Sequence, residues 1–294
     1  MWFAVFISIA VVLQFTSFTS SFPVTTEKYG IVLDAGSSGT RIKVYKYTIG
    51  RHSPLEPSDV QEIKVPKPDK IRPGISKFGQ NVDMIQGYLK KLIDNSKRVV
   101  PVQQQSSTPI MLFATAGMRL LPLNQRMAIL SEVERLFKNK TFCPFSYQSG
   151  DARIITGNEE AIYGWITLNF LKGRFSPNVN IGTVGALDLG GGSTQNAYRV
   201  TNKGQGTPTA TVNLAGKDYP LYVHSYLGYG LSEATDSYYK HLASSSIGST
   251  VVSPCHNKGF TKTITNNNSQ ITINGGYNEI KCQNLLKMMF FCNG

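Results

Sequence analysis

The 294-residue chain has few acidic residues, no run of basic residues and only four cysteines. It contains 18 Asp and Glu and 30 Lys and Arg, so its formal net charge is +12. A positive charge of this size favours polyanionic partners, namely nucleic acid, anionic membrane or phosphorylated substrates. The lysines are scattered, and no arginine-rich run or nucleic-acid motif is present, so we predict no nucleic-acid partner. The cysteines form no paired C-x-x-C pattern, which excludes a zinc site of that kind.

Long hydrophobic runs are also absent, except at the N-terminus, where Trp2 to Phe15 is almost entirely apolar. This stretch is short for a membrane span and has the length of a signal-peptide core. We predict a cleaved signal peptide over residues 1–21 and a protein that is secreted or lies in the lumen of the secretory pathway. A buried first element and a retained membrane anchor are the alternatives, and only the anchor would bring the chain to a membrane.

Two further features agree with secretion. Asn139 and Asn267 begin Asn-X-Ser/Thr glycosylation triplets. Three of the four cysteines lie in the last forty residues, which is typical of disulfides that close a loop-rich region in an oxidising compartment. Their spacing does not give the connectivity among Cys143, Cys255, Cys282 and Cys292.

The apolar periodicity and the turn residues predict alternating strands and helices, which indicates an α/β fold. Strands are predicted over 29–33, 41–47, 110–115, 152–156, 185–189 and 221–227, with another near 212–214. Helices are predicted over 81–99, 124–138, 158–171, 233–243 and 282–291. Residues 50–80 look like a loop excursion, and residues 257–278 like a loop or a hairpin.

A short glycine-rich pattern occurs twice, over Asp34–Thr40 and Asp188–Thr194, each time after an apolar strand. Glycine lets the backbone approach a ligand closely, and successive N–H groups in such a turn bind anionic oxygens. The leading aspartate of each copy can hold a divalent cation directly or through water. One copy alone would be an ordinary tight turn, whereas two copies predict two related domains around one polyphosphate. The predicted phosphate-binding residues in the two turns are Gly36, Ser37, Ser38, Gly39, Thr40, Gly190, Gly191 and Gly192.

Between the two loops, Glu159 and Glu160 lie near the start of a helix whose N-cap we predict at Asn158. Hydrolysis of a phosphoanhydride needs an activated water, and a carboxylate can accept its proton. The alternative is that both glutamates only stabilise the helix N-terminus. Arg119, after another strand end, is placed either to contact phosphate or to anchor its loop through a buried ion pair, and we favour the ion pair.

Together these segments resemble the ectonucleoside triphosphate diphosphohydrolase family, the apyrases. The resemblance runs from about Tyr29 to Gly294. Four of the family's five signature segments occur in order, beginning at Asp34, Ala114, Gly157 and Asp188. The resemblance implies an α/β fold of two related actin-like (RNase H-like) domains facing a cleft.

The expected domains cover residues 28–148 and 149–294. The second is expected to be incomplete at its C-terminus, because the fifth signature segment is absent. The resemblance also implies a disulfide between Cys255 and Cys282, and a missing partner for Cys292.

The expected activity is hydrolysis of nucleoside tri- or diphosphates with release of inorganic phosphate, dependent on Ca²⁺ or Mg²⁺. In that reaction Glu160 would be the catalytic base, and Ser193 and Gln195 would orient the attacking water. The resemblance further implies that Asp34 and Asp188 hold the cation through waters. The terminal phosphate would bind to Ser37, Ser38 and Gly39, with Thr115 and Ala116 nearby. The next phosphate would bind to Gly191 and Gly192.

Two alternatives to this activity stay open. Ala161 stands where the family usually has glycine, and exopolyphosphatases of the same superfamily carry a Glu-Glu-Ala segment. The second alternative is a secreted, non-catalytic protein that binds nucleotide with part of the fold. The sequence gives no expectation for the oligomeric state.

Overall fold

The computed structural model describes residues 26–52, 56–176, 181–201, 206–214, 216–246, 248–266 and 269–291. The predicted signal peptide, the triplet at Asn267 and Cys292 lie outside these residues. The chain forms two compact units, Met1–Gly230 and Leu231–Gly294. The domain boundary expected after residue 148 stays a prediction.

Strands and helices alternate along most of the chain. The strands are β1 (Thr26–Gly36), β2 (Gly39–Ile49), β3 (Val60–Ile63), β4 (Lys70–Ile71), β5 (Ile110–Ala114), β6 (Ala152–Ile154), β7 (Ala186–Leu189), β8 (Ser193–Arg199), β9 (Ala210–Leu214), β10 (Lys217–Leu227), β11 (Thr250–Ser253), β12 (Thr261–Asn266) and β13 (Ser269–Gly275). The helices are α1 (Ile85–Lys97), α2 (Val102–Gln105), α3 (Ala116–Arg119), α4 (Leu123–Lys138), α5 (Gly157–Leu171), α6 (Leu231–Ser244) and α7 (Glu279–Phe290). Single 3₁₀ turns cover Pro57–Asp59, Ile75–Phe78 and Val82–Met84.

The first unit contains a six-stranded sheet in the order β3-β2-β1-β5-β6, with β4 also beside β2. Strand β1 lies in the middle, antiparallel to β2 and parallel to β5. Its apolar run is buried on both faces: Ile31 and Leu33 point into one core and Val32 into another. Such a doubly buried central strand reads as a continuous apolar run, which is why the sequence predicts it well.

Each face of this sheet has its own core. On one face, α1 and α4 contribute apolar stripes that include Leu89, Ile93 and Val133. On the other face, α5 is buried on most sides, and its Trp165 is fully enclosed. Such a helix shows little amphipathic pattern, because it has no solvent side.

The second sheet of this unit has four strands in the order β7-β8-β10-β9. Leu221 and Val223 of β10 share the core that surrounds α5. Helix α5 therefore lies between the two sheets, and its first turn is fixed by both.

The second unit consists of a three-stranded sheet, β11-β13-β12, together with α6 and α7. Strands β12 and β13 are antiparallel, which confirms the hairpin alternative for residues 257–278. The disulfide expected from the resemblance is present between Cys255 and Cys282. In the part of the chain that the structure describes, no helix is long and apolar enough to cross a membrane.

Some expectations for the elements were wrong. Residues 50–80 are more than a loop, because they contribute β3 and β4 to the edge of the first sheet. Strands β8 and β11 were not predicted, since β8 is largely polar and β11 has only four residues. The N-cap of α5 is Thr156 and not Asn158, because the Thr156 hydroxyl accepts a hydrogen bond from the Glu159 N–H.

Candidate active site

The first glycine-rich loop joins β1 to β2. Asp34 pairs with Arg41 in the register of these strands, and Gly36 pairs with Gly39 across a two-residue turn. The Asp34 side chain is 1% exposed; Oδ2 lies 3.5 Å from Nη1 of Arg41, and no hydrogen-bond partner for Oδ1 is found among the described residues. Burial raises the pKa of Asp34 to about 6, although the Arg41 charge acts in the opposite direction.

The second loop is built in the same way at the turn from β7 to β8. Asp188 pairs with Gln195 in the register, and the turn is closed by a 2.9 Å hydrogen bond from the Gly190 N–H to the Ser193 carbonyl. Oδ2 of Asp188 is buried and has no hydrogen-bond partner in the described part of the chain. Burial raises the pKa of this carboxyl to about 6. The repeat seen in the sequence is thus a repeat of local structure.

Both loops pack against the start of the short helix α3. A methyl group on Gly117 would lie 2.8 Å from the Cα of Ser37 in the first loop. A methyl group on Gly192 in the second loop would lie 2.7 Å from the Cβ of Ala116. Only glycine permits these approaches, so α3 brings the two turns to the same place.

The two glutamates at the start of α5 have different roles. Glu159 closes a capping box: its carboxylate accepts a 2.7 Å hydrogen bond from the Thr156 N–H and another, also 2.7 Å, from Arg153. Glu160 points inward and is 5% exposed. The alternative considered for both glutamates was that they only stabilise the helix start. This role fits Glu159, whereas Glu160 points into the candidate site.

Arg119 holds Glu160 in place. Its Nη2 donates to Oε2 of Glu160 at 2.8 Å and to Oγ of Ser193 at 3.0 Å, while Nη1 donates to the Ile155 carbonyl at 3.0 Å. The buried ion pair favoured from the sequence is therefore confirmed. The guanidinium thus donates hydrogen bonds to three groups of the protein, those of Ile155, Glu160 and Ser193.

Gln195 is the second group on the Glu160 carboxylate. Its Nε2 lies 3.1 Å from Oε2 of Glu160 and also contacts Oγ of Ser193 and of Ser225. Ser225, on β10, was not predicted as a site residue, although the segment His224–Gly230 that contains it resembles the family. A methyl group on Gly157 would lie 2.2 Å from Oγ of Ser225, so this serine packs directly on the first turn of α5.

Three acidic groups influence one another here. Burial raises the pKa of Glu160 to about 7; Arg119 opposes this shift, and the charges of Asp188 and Asp34 add to it. No group of three or more His, Cys, Asp or Glu within the described residues could hold a metal by itself. The two buried, unpartnered carboxylate oxygens still fit a hydrated divalent cation, which takes few protein oxygens and keeps its own waters.

Other predicted residues lie close by. Thr115 donates its N–H to the Ala35 carbonyl at 3.3 Å, which places it beside the first loop, and Ser38 is exposed at the tip. Gly191 is half-buried in the second turn. Thr40 is fully buried and its hydroxyl accepts a hydrogen bond from Tyr88, so its side chain supports the loop from behind.

Sequence reasoning missed the segment Lys70–Gly74. A methyl group on Gly74 would lie 2.4 Å from the Ser37 carbonyl oxygen and 2.7 Å from that of Gly36. The segment therefore lies against the first loop. Its proline, glycine and short polar stretches resemble any surface connection, so the sequence offers no sign of the contact.

Among the residues outside this site, Cys143 is a buried free thiol, and burial raises its pKa to about 11. Asn139 is exposed at the end of α4, as a glycosylation acceptor must be.

The two matched turns, the helix α3 between them and the inward glutamate thus come together in an α/β protein. The sequence model of the GDA1/CD39 (nucleoside phosphatase) family matches residues 22–293, and the chain belongs to this family.

The relatives agree. Ectonucleoside triphosphate diphosphohydrolase 1 of Rattus norvegicus is 37% identical over 253 residues, which are 81% of this chain and 48% of the rat protein. A nucleoside-triphosphatase of Caenorhabditis elegans is 34% identical over 84% of this chain and 46% of its own length. The chain thus spans about half the length of the curated relatives it matches.

Among solved structures, nucleoside triphosphate hydrolases from Neospora caninum match with a TM-score of 0.62 and 20% identity, over 82% of this chain and 52% of that one. This likeness shows that the chain shares its α/β fold with that structure, and the α/β class expected from the sequence is confirmed.

Proposed function

We propose that the chain hydrolyses the terminal phosphoanhydride of nucleoside tri- or diphosphates and releases inorganic phosphate, with Ca²⁺ or Mg²⁺ as cofactor. The observation that carries the proposal is the position of Glu160: it is buried, and Arg119 and Gln195 hold one of its oxygens. The buried Asp34 and the half-buried Asp188 are close enough to Glu160 for their charges to raise its pKa.

In the proposed reaction, the oxygen of a water attacks the terminal phosphorus and the bond to the bridging oxygen breaks. The water's proton passes to Glu160, whose Oε2 is already occupied, so that Oε1 is the oxygen that faces the water. A pKa of about 7 suits a base that must accept a proton near neutral pH.

Gln195 and Ser193 would orient the same water. Gln195 donates to Glu160 through Nε2, while its Oε1 is buried without a partner in the described structure and is placed to accept from a water. Asp34 and Asp188 would hold the cation, which when bound neutralises charge on the phosphate oxygens. The turns at Ser37–Gly39 and Gly190–Gly192 would contribute backbone N–H groups to the phosphates.

We further propose that the protein acts outside the cell or in the secretory-pathway lumen. The Cys255–Cys282 disulfide supports an oxidising compartment, and the names of several relatives describe ectoenzymes. The test is to determine the N-terminal residue of the protein collected from the culture medium, which we expect to begin after residue 21. A protein that stays in the cell fraction with its full N-terminus would contradict this proposal.

The test of the activity compares Glu160→Gln with Glu159→Gln in the purified chain. Phosphate released from nucleoside di- and triphosphates is measured with Ca²⁺, with Mg²⁺ and with chelator. We expect Glu160→Gln to lose at least about a hundredfold in rate, the usual contribution of a general base. Glu159→Gln should keep most of the rate, because Glu159 only caps the helix.

The outcomes separate the candidates. Equal rates for the Glu160→Gln variant and the wild type would reject Glu160 as the base. Faster release from long-chain polyphosphate than from nucleotides would favour an exopolyphosphatase. Nucleotide binding without any release would favour the non-catalytic alternative.

A further inference from the structure

Three basic side chains beside the first loop have no part in the reaction described above. Strand β4 places Lys70 opposite Arg41 of β2, and Ile71 opposite Thr40. A methyl group on Gly39 would lie 2.9 Å from Cε of Lys70 and 3.3 Å from Cγ of Arg72. Lys70 and Arg72 therefore pack over the glycine of the turn.

Backbone contacts fix this arrangement. Two residues beyond Arg72, Gly74 approaches the carbonyls of Gly36 and Ser37 so closely that a methyl group there would lie 2.4 Å from the nearer oxygen. The loop and the basic segment are thus held together by their main chains, and the position of the cations does not depend on a long flexible connection.

The three positive charges of this cluster are only partly balanced, by the single nearby carboxylate of Asp34. Within the described residues, no carboxylate lies within ion-pair distance of Lys70 or Arg72, and Arg41 reaches only Asp34, at 3.5 Å. Burial and the neighbouring charges of Arg41 and Arg72 lower the pKa of the Lys70 ammonium, with Asp34 acting in the opposite direction. Three cations that repel one another at the mouth of a turn favour a bound anion.

We propose that Arg41, Lys70 and Arg72 form a basic subsite beside the loop Asp34–Thr40, which adds side-chain contacts to the backbone N–H groups of Ser37–Gly39 and binds the phosphate group farthest from the nucleoside. The shared ligand chemistry is a phosphate dianion, carried by the substrate before cleavage or free as inorganic phosphate after it. An arginine fork and a lysine ammonium suit such a ligand, because charge-assisted hydrogen bonds to phosphate are stronger than neutral ones. The identity of the substrate rests on the proposed function.

The test measures binding and not turnover. Inorganic phosphate is titrated calorimetrically into the wild type, Lys70→Gln, Arg72→Gln and the double variant. The control is Lys138→Gln, which removes one surface charge that is paired with Glu134 at the end of α4. We expect the Kd for phosphate to rise about tenfold in the double variant, the loss of roughly one charge-assisted contact, and to change less than twofold in the control.

Two further titrations distinguish the sources of the phosphate. Glu160→Gln, alone and combined with the double variant, is titrated with a nucleoside triphosphate and with the unphosphorylated nucleoside. Weaker binding of both the triphosphate and inorganic phosphate supports a subsite used before and after cleavage, and weaker binding of inorganic phosphate alone supports a subsite for the product. Unchanged binding of both ligands, or an equal loss in Lys138→Gln, would overturn the subsite.

The subsite and the proposed function can fail separately. A chain that releases no phosphate but binds it through Lys70 and Arg72 keeps the subsite and rejects the hydrolase. A chain that hydrolyses nucleotides while the double variant binds phosphate normally keeps the hydrolase and rejects the subsite. Arg72 is exposed and Lys70 is half-buried, and denaturant unfolding of each variant tests whether the fold is retained.

Discussion

The guanidinium of Arg119 and the carboxylate of Glu160 meet at 2.8 Å, although the two residues lie 41 positions apart. Their side chains are 12% and 4% exposed, so the pair is largely removed from water. The same guanidinium also donates to Ser193 and to the Ile155 carbonyl. One side chain thus joins the helix α3, the start of α5 and the second loop.

Arg119→Ala should therefore lower the free energy of unfolding of the first unit by about 3 kcal/mol, because removing one partner of a buried pair leaves the other charge uncompensated. Urea unfolding at neutral pH measures the loss. Arg135→Ala is the matched control, since Arg135 pairs with Glu132 on the surface of α4, and it should unfold nearly as the wild type does. Equal stability of Arg119→Ala and Arg135→Ala would show that the buried pair contributes nothing.

A second prediction concerns the contact between α3 and the first loop. Gly117→Ala places a methyl group 2.8 Å from the Cα of Ser37, and backbone cannot yield as a flexible side chain can. We expect a loss of about 1–3 kcal/mol in stability, typical of overpacking, together with slower phosphate release.

The comparison for this change is Gly87→Ala. Gly87 is exposed in α1, and a methyl group there would meet nothing within 4 Å. Because alanine is the better helix former, this variant should gain about 0.5–1 kcal/mol. Thermal unfolding of both variants and of the wild type measures these changes in stability. A Gly117→Ala variant that is more stable than the wild type would refute the close contact.

Much of the site could be predicted because its parts are local. A strand end, a glycine turn and an aspartate are consecutive in the chain, and the repetition of this pattern at Asp34 and Asp188 marks it as more than a turn. The family resemblance then supplied the role of Glu160. The position of that residue in the first turn of α5 follows from its neighbours.

What the sequence could not provide depends on tertiary contacts. Whether Arg119 meets phosphate or Glu160 depends on how far α3 lies from α5. Ser225 and Lys70 reach the site only because β10 pairs with β8 and β4 pairs with β2. Thr156 and Asn158 are both residue types that favour the N-cap position. The path of the chain from β6 into α5 decides which of them caps the helix.

The disulfide gives a third prediction. Cys255→Ser should lower the stability of the second unit by about 3 kcal/mol, because the bridge spans 27 positions and its loss frees that loop in the unfolded chain. Limited proteolysis, with and without reductant, measures the effect on residues 231–291. Reductant should have no further effect on Cys255→Ser, and an equal response of variant and wild type would show that the bridge is not the cause.

The last prediction is a pH dependence that a divalent cation reverses. Burial raises the pKa of Asp34 and Asp188 to about 6 and that of Glu160 to about 7. Groups of this kind take up protons on folding, so their contribution to stability is complete below about pH 4 and is lost as the pH rises through 6 to 7. In the presence of a chelator, the melting temperature should therefore fall as the pH rises across this window. Asp34 alone should lower the free energy of unfolding by on the order of 2–3 kcal/mol.

Asp34→Asn should remove part of that fall, since the amide does not ionise. Asp94→Asn is the control: the Lys90 ammonium beside Asp94 lowers the pKa of that carboxyl, so its stabilisation is lost as the pH falls and not as it rises. Ca²⁺ or Mg²⁺ should raise the melting temperature of the wild type more at pH 7.5 than at pH 5, because protonated carboxyls bind cations poorly. A cation effect that is equal at the two pH values, or equal in Asp34→Asn and the wild type, would place the cation away from the paired loops.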